Sequence, residues 1–177
     1  RLADCRGCDG CCHERAPLIA ADIPALAALL PDAGGPFPAH AVCAAFAELK
    51  VAANGAVDIT LKRDRDSACI FLDREGKCCS AHAARPFVCR SHFCLPRSER
   101  LERLRQQIVN MGEDELTRLL VAEEAAWSPP LTALPLASRI NAADYAANGH
   151  SGRAAYGDIS IRGSVDARLW LELTADQ

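Results

Sequence analysis

Ten cysteines in 177 residues, and the places where they fall, restrict this chain more than any other feature. Cys5, Cys8, Cys11 and Cys12 crowd the N-terminus. Cys69, Cys78, Cys79, Cys89 and Cys94 form a second group, Cys43 lies alone between the two, and no cysteine follows Cys94. An even count suits a disulfide framework in a small secreted protein. Such frameworks compensate for a poor core, whereas half of this chain is apolar. The spacing opposes disulfides too: Cys11 and Cys12 are adjacent, and only two residues separate Cys5 from Cys8. Gaps this short bring several thiolates onto one centre, which is the pattern of chelation. Thiols kept free for a metal point to a reducing, cytoplasmic setting.

The rest of the composition mainly excludes. The net charge of −3 comes from interspersed acids and bases, without the basic face that nucleic acid requires. No apolar run reaches the 18 residues of a membrane span. Neither a nucleic-acid nor a membrane partner is expected. Because the first residue is Arg1 rather than Met, a segment upstream of it is expected.

Along the chain, Gly7 and Gly10 let the backbone turn tightly among the first cysteines. Asp22 reads as the N-cap of a helix from Ile23 to Leu30 that stops at Pro31. A Pro/Gly-rich loop follows over 32–38. Alternating segments at 48–51 and 57–62 flank Asn54-Gly55, a hairpin signal. Cys69 to Leu72 reads as a strand turned by Arg74-Glu75-Gly76. A helix from about Ala81 to Cys94 is broken at Pro86. From Ser98 the pattern is helical, with Leu101, Leu104, Ile108 and Met111 on one stripe. Gly112 is expected to interrupt it before a second helix at Asp114–Trp127. Residues 158–161 and 168–173 alternate about Gly163-Ser164 and read as a terminal hairpin. The stripe over 98–127 serves either the core or a protein partner. The arginines at 97, 100, 103 and 105 are mixed with Glu99 and Glu102 and read as a solvated face.

The spacing Cys5-x-x-Cys8-x-x-Cys11 places three thiolates within reach of one centre. With a remote fourth they match a [4Fe–4S] arrangement, and with a remote Cys or His they match tetrahedral zinc. Adjacent side chains diverge, so Cys12 is expected to face a second centre. His13, His82 and His92 each lie within three residues of a cysteine, as ligands or as donors to a thiolate. Arg85 and Arg90 suit the compensation of thiolate charge. Cys43 sits among Ala41, Val42, Ala44 and Ala45 and reads as a core residue. His40 and His150 read as ordinary polar residues.

Cys5-x-x-Cys8-x-x-Cys11-Cys12 followed by Pro17-Leu18 and Asp22-Ile23, then Cys69-Ile70-Phe71-Leu72, Gly76, Cys79 and Arg85-Pro86-Phe87-Val88-Cys89-Arg90, resembles the CxxCxxCC (YkgJ-like) family of zinc- or iron-chelating cysteine-cluster proteins. A similar module occurs in flagellin lysine N-methylases, where it is associated with an iron–sulfur cluster. This chain shows no glycine-rich loop for a methyl donor, so the resemblance is carried to the module alone. It implies a ligand set of Cys5, Cys8, Cys11, Cys12, Cys69, Cys79, Cys89 and Cys94, with Cys78 and His82 as possible extras.

The expected fold is α+β, small, irregular and metal-stabilised, with short β-hairpins and a C-terminal helical segment. A cysteine module over 1–94 and a helical remainder over 95–177, ending in a hairpin that packs on the module, are expected to form one compact domain. The expected function is to hold an iron–sulfur cluster in one or two centres for redox, sensing or metal handling. A zinc-stabilised interaction domain and a metal-dependent modification enzyme are the alternatives.

Overall fold

Asn54-Gly55 closes the hairpin that organises the first half of the chain. In the computed structural model, which describes residues 7–31, 38–92, 98–122 and 134–175, strands β1 (Ala47–Val51) and β2 (Val57–Leu61) pair antiparallel. Their register runs from Ala47 opposite Leu61 to Val51 opposite Val57. Gly55 adopts φ +87°, and a side chain there would meet the Arg139 carbonyl at 2.3 Å, so glycine is required twice over. The Tyr145 hydroxyl holds the turn by donating to the Gly55 carbonyl and accepting from the Val57 amide, each at 3.1 Å.

β1 alternates buried and exposed residues as a one-sided strand should, whereas the second half of β2 is buried on both faces. Helix packing over the sheet supplies the cover, and the free edge of β2 is occupied as well. The segment 16–18 runs beside β2, with Leu18 N–H donating to the Ile59 carbonyl at 2.8 Å and Leu61 N–H to the Ala16 carbonyl at 2.9 Å. Ile59 N–H donates to the Glu113 carboxylate at 2.7 Å.

Before the hairpin come α1 (Ile23–Ala27) and α2 (Pro38–Phe46). The sequence pattern does not single out α2, which buries Val42 and Cys43. Lys62 closes its C-terminus by donating to the Ala44 and Ala45 carbonyls at 2.6 and 3.1 Å. After the hairpin, β3 (Leu72–Asp73) pairs with β4 (Cys78–Cys79) in a two-residue ladder. The strand expected over 69–72 is thus confined to its last residue and its neighbour. The helix expected over 81–94 breaks where Pro86 requires, into a 3-10 turn (His82–Ala84) and a single helical turn, α3 (Phe87–Arg90).

Two expectations are overturned. Gly112 does not divide the helical region: α4 runs unbroken over Glu99–Ala122. A Cβ at 112 would lie 2.6 Å from the Ile19 Cβ and 3.0 Å from the His150 ring, so the glycine marks a close approach rather than a break. The buried face accordingly follows Val109, Gly112, Leu116 and Leu120 instead of the stripe through Leu101. The terminal hairpin is also absent. Residues Ala167–Thr174 form α5, capped by the Asp166 carboxylate, which accepts from Leu169 N–H at 2.8 Å. Arg168 and Glu172, four apart, pair at 3.3 Å. The period-two pattern of leucines was misleading: Leu169 is buried and Leu171 is 67 % exposed.

The fold is α+β with two small antiparallel sheets. One apolar core joins residues 16–27, α2, the hairpin, Val88, α4 and Tyr145.

Candidate metal centre

The first cysteine cluster is shaped by a 3-10 turn, Gly10–His13, which carries Cys11 and Cys12. Backbone hydrogen bonds fasten this turn to the second cluster. Cys69 N–H donates to the Cys12 carbonyl at 2.8 Å, and Gly7, at φ +78°, donates to the Lys77 carbonyl at 3.1 Å. The Arg63 guanidinium donates to the His13 carbonyl. The 64–68 turn is held by the Asp64 carboxylate, which accepts from the Asp66 and Ala68 amides. Ser80 N–H donates to the Phe71 carbonyl at 2.8 Å, drawing β4 and Cys79 alongside.

As a result, Cys8, Cys11, Cys12, Cys69, Cys79 and Cys89 all line one cavity of about 40 Å³. Its floor is apolar, from Ala16, Leu61, Phe71, Ala81 and Pro86, with Glu14 and Arg85 at the wall. Cys5 and Cys94 lie outside the described residues. Cys43 is buried in the core, 1 % exposed, and takes no part. Of the possible extras, His82 is exposed on its 3-10 turn and Cys78 stands 3.8 Å from the Asp73 carboxylate; neither lines the cavity. His13 and His92 face the Asp9 and Glu14 carboxylates at 3.9 and 4.0 Å.

The thiols act on one another. Burial, reinforced by Cys11, Cys69 and Cys79, pushes Cys12 up to about 12. Burial also pushes Cys89 up to about 12, with Cys69, Cys11, Cys79 and Asp22 adding to it. Cys69 is raised chiefly by burial. Among the described residues, no three Cys, His, Asp or Glu side chains are gathered tightly enough to hold an ion as they stand. The shared cavity is the more informative observation, because the backbone sets it and a thiol changes direction by a χ1 rotation. Cys12 therefore does not face a separate space, as its adjacency to Cys11 implied. Cys11 and Cys12, successive residues of the 3-10 turn, both border the same cavity.

A family model described as "Putative zinc- or iron-chelating domain" matches residues 4–107. The chain belongs to the CxxCxxCC family. The CxxCxxCC module so defined extends beyond the cysteines into α4, whose Arg105 donates to the Ser91 hydroxyl and the Val88 carbonyl at 3.1 and 3.2 Å. Neither the curated proteins nor the solved structures give a match to the chain. No described helix is long and apolar enough to cross a membrane.

Two residues of this CxxCxxCC chain take on supporting roles that the sequence reading did not assign them. Asp22 does not cap its own helix. Its buried carboxylate accepts from Ile19 N–H and Phe87 N–H, each at 2.8 Å, and from the Tyr156 hydroxyl at 2.6 Å. Burial pushes it up to about 6 against those three donors and the nearby Arg90 charge. The available signal was an acid set inside the apolar run Leu18-Ile19-Ala20-Ala21-Asp22-Ile23. Tyr156 had none. Arg90, expected to serve the site's charge balance, instead donates to the Arg85 and Ala83 carbonyls and lies over the Tyr156 ring.

Proposed function

We propose that the cavity holds an iron–sulfur cluster of the [4Fe–4S] type, used for redox, sensing or metal handling. The observation that carries this reading is the convergence of six cysteines from three stretches of chain on one space. A [4Fe–4S] cluster takes four thiolates, as a single tetrahedral ion does, and closely spaced cysteines joined by remote ones, here Cys8, Cys11 and Cys12 with Cys69, Cys79 and Cys89, are the arrangement such clusters use. Cys11, Cys12, Cys69, Cys79 and Cys89, electrostatically coupled to one another, are the principal candidates. Cys8 stands exposed at the rim, and Cys5 and Cys94 complete the candidate set by their place in the sequence. The donor set fits the group, since thiolates are the ordinary ligands of such clusters and the apolar floor limits access of water. Arg85 supplies positive charge at the wall, and Asp22 holds the start of α3. When bound, the cluster would supply one-electron chemistry or a metal to pass on.

Structural zinc is the second reading, favoured by the close mutual influence of Cys11, Cys12, Cys69, Cys79 and Cys89, any four of which would complete a tetrahedral site. We take the cysteine module and the helical remainder to form one domain, supported by the core they share.

Anaerobic purification, absorption spectroscopy and assay of iron, labile sulfide and zinc test the assignment. Brown protein with iron and sulfide in equal amounts is expected. Colourless protein with stoichiometric zinc would transfer the assignment to the second reading.

A further inference from the structure

Tyr156 lies beyond residues 4–107 that match the family, yet its side chain reaches the cavity's supporting wall. Its hydroxyl donates to Asp22 at 2.6 Å, onto the same oxygen that accepts from Phe87 N–H. Phe87 opens α3, two residues before Cys89. With a single turn, α3 has too few internal hydrogen bonds to place itself, so its position comes from what surrounds it. The Tyr156 ring also packs on the Phe87 ring, centroids 6.2 Å apart, and supports the Arg90 guanidinium at 5.5 Å. Arg90 in turn donates to the Arg85 carbonyl at 2.6 Å. Cys89 and Arg85 both line the cavity.

We propose that Tyr156 is a positioning residue for the metal centre, a clamp from the C-terminal segment that fixes Cys89 and Arg85 in the cavity wall through Asp22 and Arg90. The inference rests on the reading of the cavity as a metal site. Removing the hydroxyl leaves a fully buried carboxylate short of one of its three donors, which loosens the turn that carries Cys89.

The test uses the full chain, metal-free and reduced, as wild type, Tyr156→Phe and Arg90→Lys. Co²⁺ is the probe, because its thiolate charge-transfer absorption reports both affinity and the number of sulfur ligands. In parallel, iodoacetamide labelling of the metal-free protein is followed peptide by peptide. For Tyr156→Phe, Co²⁺ binding is expected to weaken about tenfold, as suits one hydrogen bond to a charged group. The absorption per bound cobalt should fall, and Cys89 should label faster while Cys8 keeps its rate. Arg90→Lys, an exposed change that keeps the charge but loses the forked contacts, should act in the same direction. If Tyr156→Phe does not fold, Arg90→Lys alone decides the outcome. Unchanged cobalt affinity, spectrum and Cys89 labelling in the folded variant would overturn the proposal. If the wild type binds no Co²⁺, the metal reading fails, and Cys89 labelling alone decides the positioning role: faster labelling upholds it and an equal rate overturns it.

Discussion

Glu113 shows how one side chain can serve the fold and burden it at once. Its carboxylate accepts from the otherwise unpaired Ile59 N–H at 2.7 Å. Burial, with Asp58 and Asp114 nearby, pushes it up to about 7 from the usual 4.5, against the Ile59 hydrogen bond and the Arg15 charge. A carboxyl raised in the folded state favours folding when it is protonated. That contribution is complete below about 4.5 and is lost as pH rises through about 7. Glu113→Gln keeps the acceptor oxygen and removes the titration. Thermal melts should therefore show the variant gaining on wild type between pH 5 and 8, by about 1.4 kcal/mol for each tenfold difference in proton affinity between the folded and unfolded chain, and matching it near pH 4. A constant difference across that range would refute the assignment. Cys43 provides the contrast among the thiols. Cys43→Ala should cost about 1 kcal/mol in denaturant unfolding and leave bound metal unchanged, whereas Cys89→Ser should lower it; metal assay of both proteins checks the pair.

At the scale of elements, Gly112 sets two effects against each other. In an exposed helix, alanine in place of glycine stabilises by about 1 kcal/mol. Here the added carbon would meet Ile19 at 2.6 Å in a close-packed interior, and overpacking costs roughly 1–3 kcal/mol. Gly112→Ala should therefore destabilise, by a lower urea midpoint with an unchanged slope; a raised midpoint would mean that α4 can step away from Ile19. The same residue explains what was legible. Hairpin β1–β2 was readable because its signal is local, an Asn-Gly between alternating strands. The Pro86 break was readable for the same reason. Gly112 and the 168–173 leucines were misread because their meaning depends on what lies opposite, Ile19 and His150 in one case and the α4 partner Arg103 of Glu172 in the other. The cysteines could be grouped from spacing. That they share one cavity could not, since it depends on backbone bonds such as Cys69 N–H to the Cys12 carbonyl.

For the whole molecule, the relevant fact is that α4 packs on β2 and on residues 20–22, so the cysteine module and the helical remainder bury one another. A ligand that binds only the folded form stabilises everything coupled to it. Metal removal by a strong chelator should thus lower a single unfolding transition, with far-ultraviolet dichroism and tryptophan fluorescence moving together. Two separated transitions would show that the parts fold independently. The Asp22 contact has a consequence for how the protein is made. Translation delivers the chain from its N-terminus, and Cys89, the last of the described cavity cysteines, is complete 67 residues before Tyr156. A nascent chain at that stage owns the described thiols but not the hydroxyl that closes on Asp22. If that hydroxyl governs the wall, the described thiols are all made before the site reaches its full affinity, and the tightest binding waits until residue 156 has emerged.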